Sequence, residues 1–271
     1  MKPALLIALT ALLAGCGSHF NKIMKSHDAE YKLRMAEQYF VKKSYNKAQQ
    51  LYEDVIPYFK TSKEFEDIYY KYAYCAWYQE DYLNAENLFK TYLEIFPNSA
   101  RAEEIDFMHA KCFYEQSPKP ELDQTNTIKA MGMMQTFINT HPGSVKNKEA
   151  GEIIDICRNK LETKDYKSAQ LYFELGQYRA AGVAFTGVLN NYPDSPRADE
   201  YKLMVIKSYF RFAEMSINEK KKERFEQVIT ECNDFSDRFP DSRLKKEAEH
   251  YLDLSQINIK NLSNEQVKTS T

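Results

Sequence analysis

The stretch at residues 172–194, YFELGQYRAAGVAFTGVLNNYPD, decides the fold of this chain. Between Tyr178 and Pro193, its small and apolar residues recur three or four positions apart, which is the spacing of one face of an α-helix. They are Ala181, Ala184, Phe185, Val188, Leu189 and Tyr192. Pro193 ends this helix because proline lacks the backbone N–H that a helix interior requires. Ala169 and Tyr172 belong to a second helical segment upstream, so the stretch predicts two helices joined by a short turn.

The same pattern occurs five times along the chain. Each copy ends in a related segment, and these are Phe59-Lys60-Thr61-Ser62, Phe96-Pro97-Asn98-Ser99, His141-Pro142-Gly143-Ser144, Tyr192-Pro193-Asp194-Ser195 and Phe239-Pro240-Asp241-Ser242. Twelve residues before each proline, or before Lys60, comes an anchor residue: Ala48, Ala85, Ala130, Ala181 or Val228. Twelve residues before three of these anchors lie Ala36, Ala73 and Ala169. Small residues there let paired helices approach closely, and the serine after each proline is placed to cap the next helix.

Repetition of a helix–turn–helix unit is the signature of the tetratricopeptide repeat, whose unit has about 34 residues. The anchors are spaced by 37, 45, 51 and 47 residues, so the surplus must lie in longer helices and loops, including an insertion at residues 116–120. We predict an all-α fold, a tetratricopeptide-repeat solenoid of about five helix–turn–helix repeats in a right-handed superhelix. The alternative is an ordinary helical bundle whose helices resemble one another by chance.

In this repeat family the first helix of each pair lines a concave groove. The groove-facing positions lie six and three residues before the first-helix alanine, and one, four and five residues after it; Ala110 is that alanine in the third repeat. They place aromatic side chains at Phe40, Tyr70, Tyr74, Trp77, Tyr78, Phe107 and Tyr114, and then at Tyr166 and Phe173. Acidic residues border them at Glu37, Asp67, Glu104 and Glu174. Aromatic rings supply large contact area at low entropy cost, so the set predicts a groove for a peptide or substrate. The alternative for each ring is packing against neighbouring helices.

The N-terminus carries a targeting signal. A short charged start precedes an apolar run at residues 4–14, which matches a secretory signal peptide and is too short to span a bilayer as a helix. Leu13-Ala14-Gly15-Cys16 resembles the lipobox at which bacterial lipoprotein signal peptides are cut and lipidated. We predict acyl chains such as palmitate on Cys16 and, because Gly17 is not an Asp-type retention signal, attachment to the outer membrane. The alternative is an ordinary N-terminal helix with an incidental cysteine.

The composition argues against several other functions. Lys and Arg number 37 against 39 Asp and Glu, which is not the basic excess of a typical nucleic-acid binder. Only 8 of 271 residues are glycine, so phosphate-cradling loops have little room. None of the motifs GxxxxGK[ST], GxGxxG, HExxH and GxSxG occurs. We therefore predict no enzyme, no nucleic-acid partner and no cofactor beyond the covalent lipid on Cys16.

Metal and thiol chemistry receive little support from the sequence. His109 and Cys112 share a helix face, but two ligands do not complete a zinc site, so no metal is predicted. An exported compartment allows disulfides. The long, unpatterned separations of Cys75, Cys112, Cys157 and Cys232 nevertheless favour buried thiols in helix cores.

Three parts of the chain carry a resemblance to a known family. They are residues 52–59 (YEDVIPYF), Asp123-Gln124-Thr125 with residues 137–142 (FINTHP), and residues 172–181 with residues 188–194. Over residues 31–254 the chain resembles the outer-membrane protein assembly factor BamD family, which consists of lipoproteins with five tetratricopeptide repeats. The resemblance is weakest in the fifth repeat, where Val228 replaces alanine and Lys220-Lys221-Lys222 lies in a charged stretch.

This resemblance implies a lipid-anchored outer-membrane protein that faces the periplasm and belongs to the β-barrel assembly (BAM) complex. Two partners are implied: a BamA-like barrel subunit, bound through its periplasmic domains mainly by the C-terminal repeats, and unfolded outer-membrane β-barrel proteins, received by the N-terminal repeats. The C-terminal strand of such substrates commonly ends in an aromatic residue, which suits the aromatic groove. The alternative is another repeat scaffold lipoprotein, of the Tol-type cell-envelope kind or the SusD-like glycan-binding kind.

The predicted domains follow from these assignments. They are a signal peptide at residues 1–15, the lipidated cysteine and a tether at residues 16–28, a five-repeat domain at residues 29–257 and a flexible polar tail at residues 258–271. The repeat domain contains no Gly/Ser linker and is predicted to be one continuous solenoid, with at most a slight break near residues 197–216.

Overall fold

The computed structural model describes residues 19–269, and the side-chain surroundings of residues 19–264. Residues 19–24 are helical and precede a series of long helices. These are α1 (Ala29–Val41), α2 (Tyr45–Phe59), α3 (Phe65–Tyr78), α4 (Tyr82–Ile95), α5 (Ala102–Glu115), α6 (Thr125–Thr140), α7 (Asn147–Glu174), α8 (Tyr178–Asn191), α9 (Ala198–Glu214), α10 (Asn218–Arg238) and α11 (Lys245–Thr269). Residues 19–269 contain no β-strand.

Helices α1 to α10 form five consecutive helix–turn–helix pairs, and α11 packs against the fifth pair. The residues that define the repeat register lie where helices meet. Those that are fully buried are Ala36, Ala48, Ala73, Ala85, Ala130, Ala181 and Val228, and Ala110 and Ala169 are nearly so. The predicted all-α tetratricopeptide-repeat fold is therefore confirmed.

The turn that follows each repeat has one geometry from the second repeat onward. Helices α4, α6, α8 and α10 each end two residues before a proline. The single residue between the end of each helix and the proline has φ from −131° to −123° and ψ from 55° to 62°. It is not helical because the proline ring disfavours a helical conformation in the residue before it. The serines do not cap the first turn of the next helix as predicted, because each bonds to the residue just before that helix. Ser99, Ser144, Ser195 and Ser242 each accept a hydrogen bond from the backbone N–H two residues later.

The same four serines make a second hydrogen bond that the sequence analysis does not predict. Each hydroxyl donates to a carboxylate on the first helix of its own repeat. The pairs are Ser99–Glu66 (2.6 Å), Ser144–Glu103 (2.5 Å), Ser195–Glu162 (2.5 Å) and Ser242–Asp199 (2.6 Å). These serine–carboxylate bonds tie the turn after the second helix back to the first helix, so they fix the geometry of each pair.

The repeats divide into two compact units, which corrects the prediction of one continuous domain. The first unit contains the chain up to Pro118 and Asp123–Cys157; the second contains Lys119–Leu122 and the chain from Arg158 onward. The break lies inside α7 and not near residues 197–216. α7 has 28 residues, and its two halves belong to different cores: Cys157 to a cluster of the first unit and Ala169 to a cluster of the second.

Two predicted boundaries at the ends of the repeat domain are wrong. The tether predicted at residues 16–28 is too long, because residues 19–24 are helical and Ile23 is fully buried in the core of the first repeat. Phe20 in this segment packs edge-on against Tyr39, with ring centroids 5.7 Å apart. The tail predicted from residue 258 continues α11 instead, because Ile259 and Leu262 pack against the core of the second unit.

The predicted signal peptide at residues 1–15 and the lipidated Cys16 lie outside the described residues. No helix within residues 19–269 is long and apolar enough to cross a membrane.

Candidate peptide-binding groove

One face of α3 carries the aromatic side chains predicted to line a groove. Tyr70, Tyr74, Trp77 and Tyr78 follow a spacing that places them on one side of the helix. They line a pocket of about 670 Å³ in the first unit. The remaining lining residues come from α5 and from the turns before α5 and α7: Ala100, Glu103, Glu104, Met108, Lys111, Val145 and Lys146. The structure therefore combines an aromatic wall from α3 with a charged wall from α5 and its neighbouring turns.

The aromatic rings of this pocket differ in what they offer a ligand. Tyr78 is 48% exposed and stacks on Tyr45, with ring centroids 4.6 Å apart. Trp77 is half-buried. Tyr74 is only 7% exposed, and its hydroxyl donates to the carboxylate of Glu104. A ligand can therefore contact the rings of Trp77 and Tyr78, whereas the Tyr74 ring is almost fully buried behind the pocket surface.

Tyr70 belongs to a charged cluster at the edge of the pocket. Its hydroxyl donates to Glu104 at 2.9 Å, and the Arg101 guanidinium lies over its ring, 4.3 Å from the centroid. Burial, followed by the hydrogen bond to Glu104, raises the pKa of Tyr70 to about 12, so the phenol stays neutral. Partial burial opposes the charged form of Asp67, but hydrogen bonds from Lys71 and Arg101 outweigh it and lower the pKa of Asp67. The charged and polar groups of this cluster therefore pair with one another, which holds the edge of the pocket in place.

Positive charge is confined to the α5 side of the pocket. Lys111 and Lys146 both pair with Glu149, at 2.6 and 3.5 Å. The hydrogen bond from Lys111 is the main reason that the pKa of Glu149 is lowered. Glu103 and Glu104 also line the pocket, but they accept hydrogen bonds from Ser144 and from the tyrosines of α3. The two ammonium groups are therefore the lining groups that can pair with a carboxylate of a ligand.

The structure corrects the prediction that Phe107 lines the groove. Phe107 is 1% exposed and packs against Phe137, with ring centroids 5.5 Å apart. The ammonium groups of Lys111 and Lys146 lie 5.7 and 5.1 Å from the centroid of the Phe107 ring. These lysines therefore occupy the pocket surface that the sequence analysis assigned to the ring.

Two other predicted groove residues, Phe40 and Tyr114, do not line this pocket. Phe40 packs edge-on against Tyr78, with ring centroids 6.3 Å apart, and so extends the aromatic wall toward the first repeat. Tyr114 is half-buried against the core of the first unit.

Sequence reasoning missed the two lysines for different reasons. Lys111 lies one residue after Ala110, a groove-facing position, but the selection there considered aromatic and acidic side chains only. Lys146 lies in the turn between α6 and α7, where helical register makes no prediction.

A second pocket, of about 430 Å³, lies on the fourth repeat in the second unit. Its lining residues are Tyr172, Arg179, Ala180, Val183 and Ala184, and both Tyr172 and Val183 are exposed. At the corresponding position of the first repeat, Tyr39 is covered by Phe20. This face of the fourth repeat therefore presents apolar surface beside a single cation, Arg179.

The histidine and cysteines flagged in the sequence are part of the helix packing. His109 lies 3.1 Å from the Glu86 carboxylate, and Cys112 on the same helix is fully buried. As predicted, the four cysteines Cys75, Cys112, Cys157 and Cys232 are buried. Burial raises the pKa of both Cys75 and Cys232 to about 12, so these thiols are unreactive at neutral pH. The structure groups no three candidate metal ligands within its described residues.

These features define a tetratricopeptide-repeat protein whose grooves suit the binding of other polypeptides. The sequence profile of the YfiO family, described as outer membrane lipoprotein, matches residues 26–223. The chain therefore belongs to the YfiO family of outer membrane lipoproteins.

Two solved repeat structures are also similar to this chain. One is the complex of the TPR2AB domain of yeast Sti1 with pHSP90, at 13% identity and a TM-score of 0.40, over 86% of this chain and 84% of that chain. The other is a protein of Podosopora anserina with nearly identical TPR-like repeats, described as a kinesin light chain, at 11% identity and a TM-score of 0.33, over 79% and 96%. No curated protein sequence matches the chain significantly.

Proposed function

We propose that this protein is a non-enzymatic, lipid-anchored component of the machinery that folds β-barrel proteins and inserts them into the outer membrane. Its family membership and the lipobox-like sequence before Cys16 support attachment to that membrane, facing the periplasm. Its two pockets support two polypeptide partners, an unfolded barrel protein and the central barrel subunit of the machinery.

The pocket on α3 and α5 carries the substrate part of this proposal. An unfolded barrel protein ends in a strand whose last residue is commonly aromatic and carries the chain's terminal carboxylate. In the proposed complex, the aromatic side chain packs against Trp77 and Tyr78, and the carboxylate pairs with Lys111 and Lys146. A ring and a carboxylate on one residue need aromatic surface and ammonium groups in one pocket, and Trp77, Tyr78, Lys111 and Lys146 all line this pocket.

Trp77 is the only tryptophan of the chain, so its fluorescence reports on this pocket without a label. We expect titration with a synthetic C-terminal barrel peptide ending in phenylalanine to change the Trp77 emission saturably. Loss of both lysines, in Lys111→Gln with Lys146→Gln, should weaken binding about fivefold, since a partly exposed ion pair contributes about 1 kcal/mol. Tyr78→Ala should weaken peptide binding more than the double lysine variant does. Tyr74→Ala is a poor test of binding because the buried Tyr74 ring supports the fold.

The matched controls separate charge from folding. A peptide with an amidated C-terminus should bind the wild type as weakly as the free-acid peptide binds the double lysine variant, with no further loss when the two changes are combined. Lys90→Gln, an exposed lysine on α4, should bind like the wild type. Equal affinity for the acid and amide peptides in the wild type would refute this binding mode.

We propose that the barrel subunit binds the second pocket, on the fourth repeat. The double variant Arg179→Glu with Val183→Glu puts two carboxylates on that surface and should abolish co-purification of the barrel subunit in mild detergent. Leu83→Glu, an equally exposed apolar position on α4 in the first unit, is the control and should retain the partner. Recovery of only peptidoglycan factors or surface sugar transporters with the wild-type chain would instead support the scaffold alternative.

A further inference from the structure

The N-terminal segment is docked onto the first repeat just after the predicted lipid attachment site. Phe20 packs on Tyr39, and Lys47 lies over both rings, 5.7 and 5.4 Å from their centroids. Ile23 is fully buried in the same core. Residues 19–24 are therefore part of the folded first repeat.

The direction of this segment determines where the lipid leaves the protein. Residues 25–28 turn the chain back into α1, so residues 19–24 run antiparallel to α1, and Phe20 lies beside Tyr39 near the C-terminal end of α1. The described part of the chain therefore begins near the turn between α1 and α2. Three residue steps separate Cys16 from His19, so their Cα atoms are at most about 11 Å apart.

The turn between α1 and α2 has the composition of a membrane-contacting surface. Val41 is 78% exposed, and Lys42 and Lys43 are exposed beside it. Neither lysine pairs with a carboxylate among the residues that the structure describes. The corresponding turn of the second repeat carries Glu80 and Asp81 instead, so the basic character does not come from the repeat itself.

The backbone of this turn adds a second observation. Lys43 has a φ of 57°, in the left-handed region, and the corresponding residues of the second and fourth repeats are Glu80, with a φ of 61°, and Gly176, with a φ of 73°. Glycine adopts this conformation without steric strain, whereas lysine does not. The left-handed conformation thus belongs to the turn of the pair, and the first repeat places a lysine there, where the second has a glutamate and the fourth a glycine.

We propose that the turn between α1 and α2 lies against the membrane that holds the Cys16 lipid. Val41 inserts among the headgroups, and Lys42 and Lys43 contact anionic phospholipids, as lysines do when they support a lipid anchor. The first repeat is then held at the membrane surface by its tip and does not hang from a flexible tether. This inference rests on the lipidation of Cys16 in the proposed function.

The test uses the mature, acylated full chain in vesicles, with a single label. Val41→Cys and Tyr58→Cys are labelled separately with nitrobenzoxadiazole, and the buried native thiols stay unlabelled in the folded protein. Tyr58 is the matched control, because it is 72% exposed and lies at the opposite end of α2, roughly 20 Å along the helix. Quenching by doxyl lipids is measured in vesicles of phosphatidylethanolamine with phosphatidylglycerol or with phosphatidylcholine.

We expect quenching at position 41 to exceed quenching at position 58 severalfold, and to be stronger with phosphatidylglycerol. Lys42→Gln with Lys43→Gln should remove this difference between the two lipid mixtures. Equal quenching at the two positions, in vesicles that retain the acylated chain, would overturn the inference. Protection of position 41 by the purified barrel subunit, without vesicle quenching, would overturn it too and make the turn a protein contact. A chain that is not acylated and not retained by vesicles would instead refute the lipid anchor of the proposed function.

Discussion

The two units build the same three-residue cluster and surround it with different side chains. In the first unit the cluster is Tyr70, Arg101 and Glu104; in the second it is Tyr166, Arg197 and Glu200. In both, the guanidinium lies over the tyrosine ring, at 4.3 and 4.4 Å, and the phenol donates to the glutamate, at 2.9 and 3.0 Å. This cluster therefore belongs to the repeat scaffold and not to one binding site.

The difference begins at the next groove-facing positions of the first helix. The first unit has Tyr74, Trp77 and Tyr78, where the second has Gln170, Phe173 and Glu174. The second unit instead exposes apolar side chains on another face, at Tyr172 and Val183. The repeats thus keep the same buried register, while their surface positions differ between the two units.

The largest expected effect tests whether the two units are also separate in stability. Phe89 in the first unit and Phe185 in the second occupy the same repeat position, and both are fully buried. Replacement of either by alanine should cost about 3–5 kcal/mol, because the lost ring leaves a cavity. Since each ring lies in a core cluster of its own unit, each variant should destabilise that unit most.

Urea denaturation with two probes measures this difference. Trp77 fluorescence follows the first unit alone, and far-ultraviolet circular dichroism follows both. Phe89→Ala should move the Trp77 transition to lower urea, and Phe185→Ala should move only the dichroism transition. If Phe185→Ala shifts the Trp77 transition as much as Phe89→Ala does, the two units unfold together. The difference between the units would then concern their binding surfaces and not their stability.

A smaller effect is expected from the serine–carboxylate bonds, which the two units share. Ser99 and Ser195 each accept a backbone N–H and donate to a glutamate. Serine-to-alanine substitution at either position should cost about 1–2 kcal/mol, through the loss of two hydrogen bonds, although each glutamate keeps a tyrosine donor. Similar losses at both positions, by the same denaturation experiment, are expected if these bonds belong to the scaffold. A loss at only one position would contradict that assignment.

The first unit should also lose stability in acid through one of these bonds. Hydrogen bonds from Ser99 and then Tyr92 lower the pKa of Glu66 below its ordinary value of 4.5. A carboxyl group with a depressed folded pKa stabilises the fold above its unfolded pKa, and this contribution is lost as pH falls through the folded pKa. The Trp77 transition should therefore weaken below about pH 4.5, and Glu66→Gln should reduce that dependence. If the stability of Glu66→Gln depends on pH as that of the wild type does, the Ser99–Glu66 bond is not a source of the instability in acid.

These comparisons also show what sequence can and cannot predict for such a chain. The register of Ala85 and Ala181 predicted where helices meet, because burial at a helix contact demands a small residue. The break inside α7 was not predictable, since its apolar spacing continues past Cys157 without a glycine or proline. Phe107 was misplaced because helical spacing gives the side of a helix, but not which of two neighbouring side chains covers the other. Lys146 lies in a turn, where periodicity carries no information.

The smallest expected effect concerns the left-handed residue in the turn of a pair. Lys43→Gly should stabilise the first unit by up to about 1 kcal/mol, because it relieves the strain of a lysine at positive φ, partly offset by the greater freedom of glycine in the unfolded chain. Gly176→Ala in the second unit should destabilise by about the same amount, since it introduces that strain. Urea denaturation of Lys43→Gly and Gly176→Ala measures the expected gain and loss in the free energy of unfolding. Lys43→Ala, which keeps the strain, is the control.

Variants at position 43 also test whether this residue contacts the membrane. If Lys43 is retained for its charge, Lys43→Gly should gain stability and lose part of the preference of position 41 for anionic vesicles. Lys43→Arg should keep both the strain and the preference, because it retains the charge and the side-chain bulk. Unchanged stability in Lys43→Gly would mean that the turn adapts to lysine without strain.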